Sequence, residues 1–154
     1  MLRVRGARKG LTFIEVIFVI ALLGIISAVV IPRFRVDFQT KQRVKSEAQK
    51  IVANIRYART LAITDIDATR YIVRFYYNNN NYGIYRDDEI PSNLVGDLIP
   101  IPPELNASGE RRIRCYKEGN CDLRDSGVIT LGAGGHNYSI TIQTATGKVL
   151  LSES

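Results

Sequence analysis

The chain has no tryptophan, one histidine, one methionine and two cysteines. A lone histidine, His136, cannot build a multi-histidine metal site, and it follows Gly134-Gly135 in a predicted turn. Cys115 and Cys121 have no histidine near them, so they supply too few ligands for zinc. No serine stands in a Gly-x-Ser-x-Gly setting, so no Ser/His/Asp set can be specified. The glycine-rich stretch 132–135 lacks the Lys-Ser/Thr that completes a phosphate-binding loop. The densest acidic group, Asp87-Asp88-Glu89, reads as a solvated turn rather than a calcium loop. We therefore expect no enzyme, with no catalytic, cofactor-binding or metal-binding residues and no cofactor.

Charge is missing from one long stretch. Residues 11–32 carry a single charged side chain, Glu15, and seventeen of the 22 are Ala, Val, Ile, Leu or Phe. The 154 residues sum to +6, unevenly placed. Residues 1–10 hold four basic side chains and no acidic one, 33–62 hold eight and two, and 63–154 hold nine and twelve. The basic character belongs to the first third, so a pI near 9.5 says little about the rest. At 1.5 Å per residue a helix over 11–32 spans roughly 33 Å, about the hydrocarbon thickness of a bilayer. This predicts a transmembrane helix over a soluble core helix. A cleaved signal peptide fits less well, since the apolar run continues past Ser27-Ala28. The basic residues flanking the run number four before it and five after it, between 33 and 45, so the positive-inside rule does not set its orientation. An ionised carboxylate inside such a helix costs a few kcal/mol, so Glu15 needs solvent or a cation that the apolar run does not contain.

Beyond Pro32 the spacing changes. Val44, Ala48, Ile51, Ile55, Ala58 and Ala62 recur every three or four residues, which predicts an amphipathic helix over 35–64 packed on its own domain. Residues 70–77 are aromatic and β-branched, as strands are. Asn78 to Asn81 form a polar turn, and 82–85 read as the returning strand of a hairpin. Residues 87–110 hold four of the five prolines and predict an irregular loop. Further strands are expected near 111–117, 128–131, 138–144 and 148–152.

The segment Lys9-Gly10-Leu11-Thr12-Phe13-Ile14-Glu15 resembles the processing site of type IV pilin-like proteins, which include pilus subunits and type II secretion pseudopilins. Their pattern is a basic leader ending in Gly, a large apolar residue, Glu at the fifth mature position, and an apolar run. Leu11 stands where Phe is commonest, and the apolar residues at 13 and 14 are in swapped order. The segment 55–63 (IRYARTLAI) resembles the "L-x-x-A-R-x-x-A-I" stretch of GspH/FimT-like minor pilins and pseudopilins. The closing YSITIQTATGKVLLS resembles their C-terminal strands, with Lys148 where Arg is usual.

The resemblance implies a cleaved leader over 1–10, a transmembrane and filament-core helix over 11–34, and a globular domain over 35–154 with its β-rich region at 69–154. The fold it implies is α+β and pilin-like: a long N-terminal helix, half membrane-spanning and half amphipathic, packed on a small antiparallel β-sheet domain. A prepilin peptidase would cut between Gly10 and Leu11 and methylate the Leu11 amine, and Glu15 would pair with that amine of a neighbouring subunit during assembly. The implied location is the inner membrane, single-pass, with the C-terminal domain in the periplasm, then the pilus or pseudopilus. The implied partners are the peptidase, other pilins or pseudopilins, inner-membrane lipid and the assembly platform. An outside location permits a Cys115–Cys121 disulfide, with two free thiols as the alternative. The function implied is a minor pilin or pseudopilin. The alternatives are a membrane-tethered minor pilin that binds DNA for uptake, weakly supported because Lys148 is the only basic residue after Arg124, or a major pilin.

Overall fold

The computed structural model describes residues 12–154, except that the side chains of 28–36 lie outside that description. The predicted leader and the Gly10–Leu11 cleavage point fall outside it as well. The chain divides into two compact units, Met1–Phe38 and Gln39–Ser154.

The helix α1 runs Phe13–Thr64 and contributes to both. Its described side chains fall into two stretches, 13–27 and 37–64. The first belongs to unit one, and every side chain in it is exposed.

Two expectations are corrected here. Among the described residues no helix is long and apolar enough to cross a membrane. The membrane-spanning half of the expected pilin-like fold is therefore overturned, and the single-pass inner-membrane placement that rested on it falls too. The second correction concerns the β region, which is two antiparallel sheets rather than one small one.

Unit two is built from α1 from Gln39 onward and nine strands. These are β1 (Arg70–Tyr76), β2 (Asn81–Arg86), β3 (Ile99–Pro100), β4 (Asn106–Gly109), β5 (Arg112–Tyr116), β6 (Cys121–Leu123), β7 (Val128–Ala133), β8 (His136–Ile142) and β9 (Val149–Glu153). The five-stranded sheet has the order β3-β2-β1-β5-β6, and the four-stranded sheet the order β4-β7-β8-β9. All pairings are antiparallel. Antiparallel neighbours need only short turns, and the Asn78–Asn81 stretch supplies one: Tyr76 pairs with Asn81 across it. Gly134 and Gly135 close β7 onto β8 with φ of 57° and 84°. Two successive positive φ values match a type I′ hairpin turn, which twists with the strands it joins.

The helix stripe predicted from the sequence is the buried face: Val44, Ala48, Ile51, Ile55, Ala58 and Ala62 are all buried. They share one apolar core with alternate residues of both sheets, among them Tyr71, Val73 and Phe75 on β1 and Ile140 and Ile142 on β8. The alternation follows from the two-residue repeat of a strand. The opposite face of β1 and β5 carries Arg70, Arg74, Arg112 and Arg114, with Arg74 opposite Arg112 in the ladder.

The chain leaves the four-stranded sheet after Gly109, joins the five-stranded sheet at Arg112, and returns at Val128. Both crossings are made by short segments, 110–111 and 124–127.

Candidate assembly site

Glu15 opens α1. Its carboxylate Oε2 lies 3.4 Å from the backbone N–H of Thr12, and the Thr12 carbonyl accepts the N–H groups of Glu15 and Val16 at 3.0 and 3.2 Å. Thr12-Phe13-Ile14-Glu15 has the Thr-x-x-Glu spacing of a capping box, of which this contact is the carboxylate half. A negative charge there also complements the helix dipole. The long 3.4 Å separation makes it a weak cap, and the second carboxylate oxygen makes no hydrogen bond to a described residue. The capping role was readable from Thr12 and Glu15, but sequence reasoning assigned Glu15 to assembly alone.

Around Glu15 the surface is apolar. Eleven large apolar side chains between Phe13 and Ile26 are exposed, Phe13 at 83% and Ile25 at 69%. Contiguous apolar exposure on this scale marks an interaction surface. The residues expected at a cleavage and methylation point, Gly10 and Leu11, lie outside the described residues, so the structure places only Glu15 of that trio.

Cys115 and Cys121 lie in unit two and face each other directly across the β5–β6 ladder. Both are buried free thiols, with their sulfurs 2.6 Å apart. A thiol hydrogen bond between them pushes Cys115 up, assisted by burial, and lowers Cys121; the Arg59 guanidinium adds to the lowering. Arg59, from the helical Ala-Arg segment, donates from Nε to the Gly119 carbonyl at 2.8 Å in the turn between the two cysteines. Arg56, one helix turn earlier, donates to the Val149 carbonyl at 3.2 Å. The helix thus holds one turn or strand end of each sheet through a guanidinium.

Sequence reasoning missed Glu110, the one buried charged residue among those described. Its carboxylate accepts four backbone N–H groups: Arg112 at 3.0 Å, Arg124 at 3.0 Å, Asp125 at 2.8 Å and Gly127 at 3.0 Å. Burial alone would raise this carboxyl, but the four amides outweigh it and hold it below its ordinary value. Tyr77 donates to the Glu110 carbonyl at 2.6 Å. Asp65 is held low by the Tyr71 hydroxyl, which donates to it at 2.7 Å, and Tyr71 is pushed up to about 12 by burial and by that same bond. All these groups are locked in structural bonds. Among the described residues no cluster of three or more His, Cys, Asp or Glu could hold a metal ion.

No family model, curated protein or solved structure matches the chain.

Proposed function

We propose that this chain is a structural filament subunit without enzymatic activity, a minor pilin or pseudopilin of the type IV pilin-like class. It is processed by a prepilin peptidase between Gly10 and Leu11 and assembled through its N-terminal helix. The observation that carries this reading is the exposed apolar surface of α1 around a single charge, Glu15. Burying a large apolar side chain contributes about 1.5–3 kcal/mol. Even a fraction of that over eleven such side chains exceeds the few kcal/mol that burying Glu15 would cost. Apolar contact between helices of neighbouring copies therefore drives association, and Glu15 sets its register. A neighbouring Leu11 amine satisfies the buried carboxylate through a charge-assisted bond formed only on assembly.

Mass analysis of the N-terminal peptide from the native host tests the processing step. A peptide beginning at N-methylated Leu11 is expected. A mature chain that retains Arg3 to Gly10 would overturn it.

A further inference from the structure

The sequence Asn-x-Ser/Thr, with any residue but proline between, occurs twice, at Asn106-Ala107-Ser108 and Asn137-Tyr138-Ser139. It is the acceptor signature for N-linked sugar on surface segments. Residues two apart in a strand share a face, so each sequon sets its hydroxyl beside its own asparagine amide. The fold holds the two differently. Asn106 opens β4 (Asn106–Gly109), which lies at the edge of its sheet and pairs with β7 alone. Asn106 and Ser108 are exposed, and neither side chain hydrogen-bonds to a described residue. The irregular segment through Pro102 and Pro103 leads into this strand. An enzyme can therefore lift Asn106 away by opening one short ladder, the kind of local opening that costs least in a fold.

Asn137 is locked in place. Its strand, β8, lies between β7 and β9, and its carbonyl accepts the Ser154 N–H at 3.0 Å. Tyr138 is buried and donates to Glu153 at 3.3 Å, while Ser139 Oγ lies 2.7 Å from Ser154 Oγ. The Asn137 amide folds over Gly132 and leaves no room for a Cβ there. The surface beside Asn106 also suits a sugar. Ser108, Thr130, Ser139 and Ser152 stand in one row across the four strands, and Asn106, Gly132 and Asn137 stand in the next. No residue on this outer face of β4, β7, β8 and β9 is charged, whereas the outer face of the other sheet carries four arginines. A neutral sugar laid on it strips water from no ion and meets hydroxyl groups that share its hydrogen bonds.

We propose that Asn106 is an N-glycosylation acceptor whose first sugars lie against this uncharged face. Asn106 Nδ2 attacks the anomeric carbon of a sugar that carries a diphosphate leaving group. The N–C bond forms, the C–O bond to the diphosphate breaks, and the diphosphate departs with the electron pair. The amide gives up one proton to the transferring enzyme, and nothing is oxidised or reduced. The site is independent of the filament reading, since it uses unit two alone.

Mass analysis of tryptic peptides from the full chain, isolated from its native host, tests it. Cutting after Arg and Lys puts the two sequons on separate peptides, 87–111 and 125–148. A sugar mass located on Asn106 is expected, with Asn137 unmodified. Asn106→Gln and Ser108→Ala should each abolish it, and Ser108→Thr should retain it. Ser108 is exposed and its side chain is unbonded, so loss in Ser108→Ala reports acceptor chemistry rather than folding. Chain made in a host without such transferases separates the two donor sources. Restoration of the sugar by native-host membranes identifies a lipid-linked donor; restoration by native-host soluble extract with UDP-glucose identifies a nucleotide-linked one. An unmodified Asn106, sugar on Asn137 or on Ser108 instead, or an undiminished sugar in Ser108→Ala would overturn the proposal.

Discussion

The carboxylate of Glu110 accepts the backbone N–H of Gly127 at 3.0 Å, joining the two points where the chain changes sheets. Glu110 stands where the chain passes from β4 to β5, and Gly127 where it returns from β6 to β7. The Glu110 N–H also donates to the Val128 carbonyl at 2.8 Å and the Arg124 N–H to the Arg112 carbonyl at 3.3 Å, so the carboxylate adds its four bonds to a backbone link between the crossings. Glu110→Ala leaves four amides with no acceptor from this side chain and removes buried volume. We expect a loss of about 2–4 kcal/mol in urea unfolding, and a smaller loss for Glu110→Gln, which keeps one acceptor oxygen. A cost below 0.5 kcal/mol for Glu110→Ala would show that the crossings are held by other contacts.

The same clasp gives a pH dependence. Glu110 is held below its ordinary value in the folded chain, so the unfolded chain binds the proton more readily. Its stabilisation is complete above the unfolded value, near 4.3, and is lost as pH falls through the folded value. Asp65 and Asp87 are depressed in the same direction. Thermal melts should therefore fall on acidification below about pH 4.5, and Glu110→Gln should flatten that slope. An unchanged slope in the variant would assign the acid sensitivity elsewhere.

The opposed sulfurs of Cys115 and Cys121 predict a bridge under oxidising conditions. Closing so short a loop contributes about 2 kcal/mol in the chain-entropy model. Thiol titration of unfolded, air-oxidised protein should find no free thiol, and reduction should lower stability by that amount. Two titratable thiols after mild oxidation would support the free-thiol alternative.

Gly147 tests the helix anchor. It adopts φ of +60°, and a Cβ there would meet Arg59 Nε at 2.8 Å and crowd the Gly119 carbonyl. Gly147→Ala should cost about 1–3 kcal/mol through the left-handed backbone and the displaced guanidinium. Arg59→Ala should cost about 1 kcal/mol through the lost hydrogen bond. If the two effects arise at one contact, the double variant should cost less than their sum.

The parts readable from sequence were those with a local period. Val44 to Ala62 repeat at helical spacing, and that spacing alone separates buried from exposed residues. The hairpin at 71–86 was readable because its strands are aromatic and β-branched and its turn is four asparagines. β6 escaped notice because three residues, Cys121-Asp122-Leu123, are too few to show alternation. Glu110 escaped for a different reason. Its partners lie up to 17 positions away and are backbone amides, so no side-chain pattern announces them. The membrane span shows the opposite failure: the composition of 11–32 suggested a crossing helix, and among the described residues no helix is long and apolar enough to be one.

The central claim is that Glu15 guides assembly by pairing across subunits rather than by capping its own helix. Filament incorporation of Glu15→Gln, compared with the native chain and Glu15→Ala, tests it most directly. Gln retains the acceptor that a capping box uses but carries no charge. We expect the native chain in the sheared filament fraction and both variants absent from it, at equal cellular levels. Incorporation of Glu15→Gln at the native level, or absence of the native chain from filaments, would contradict the account.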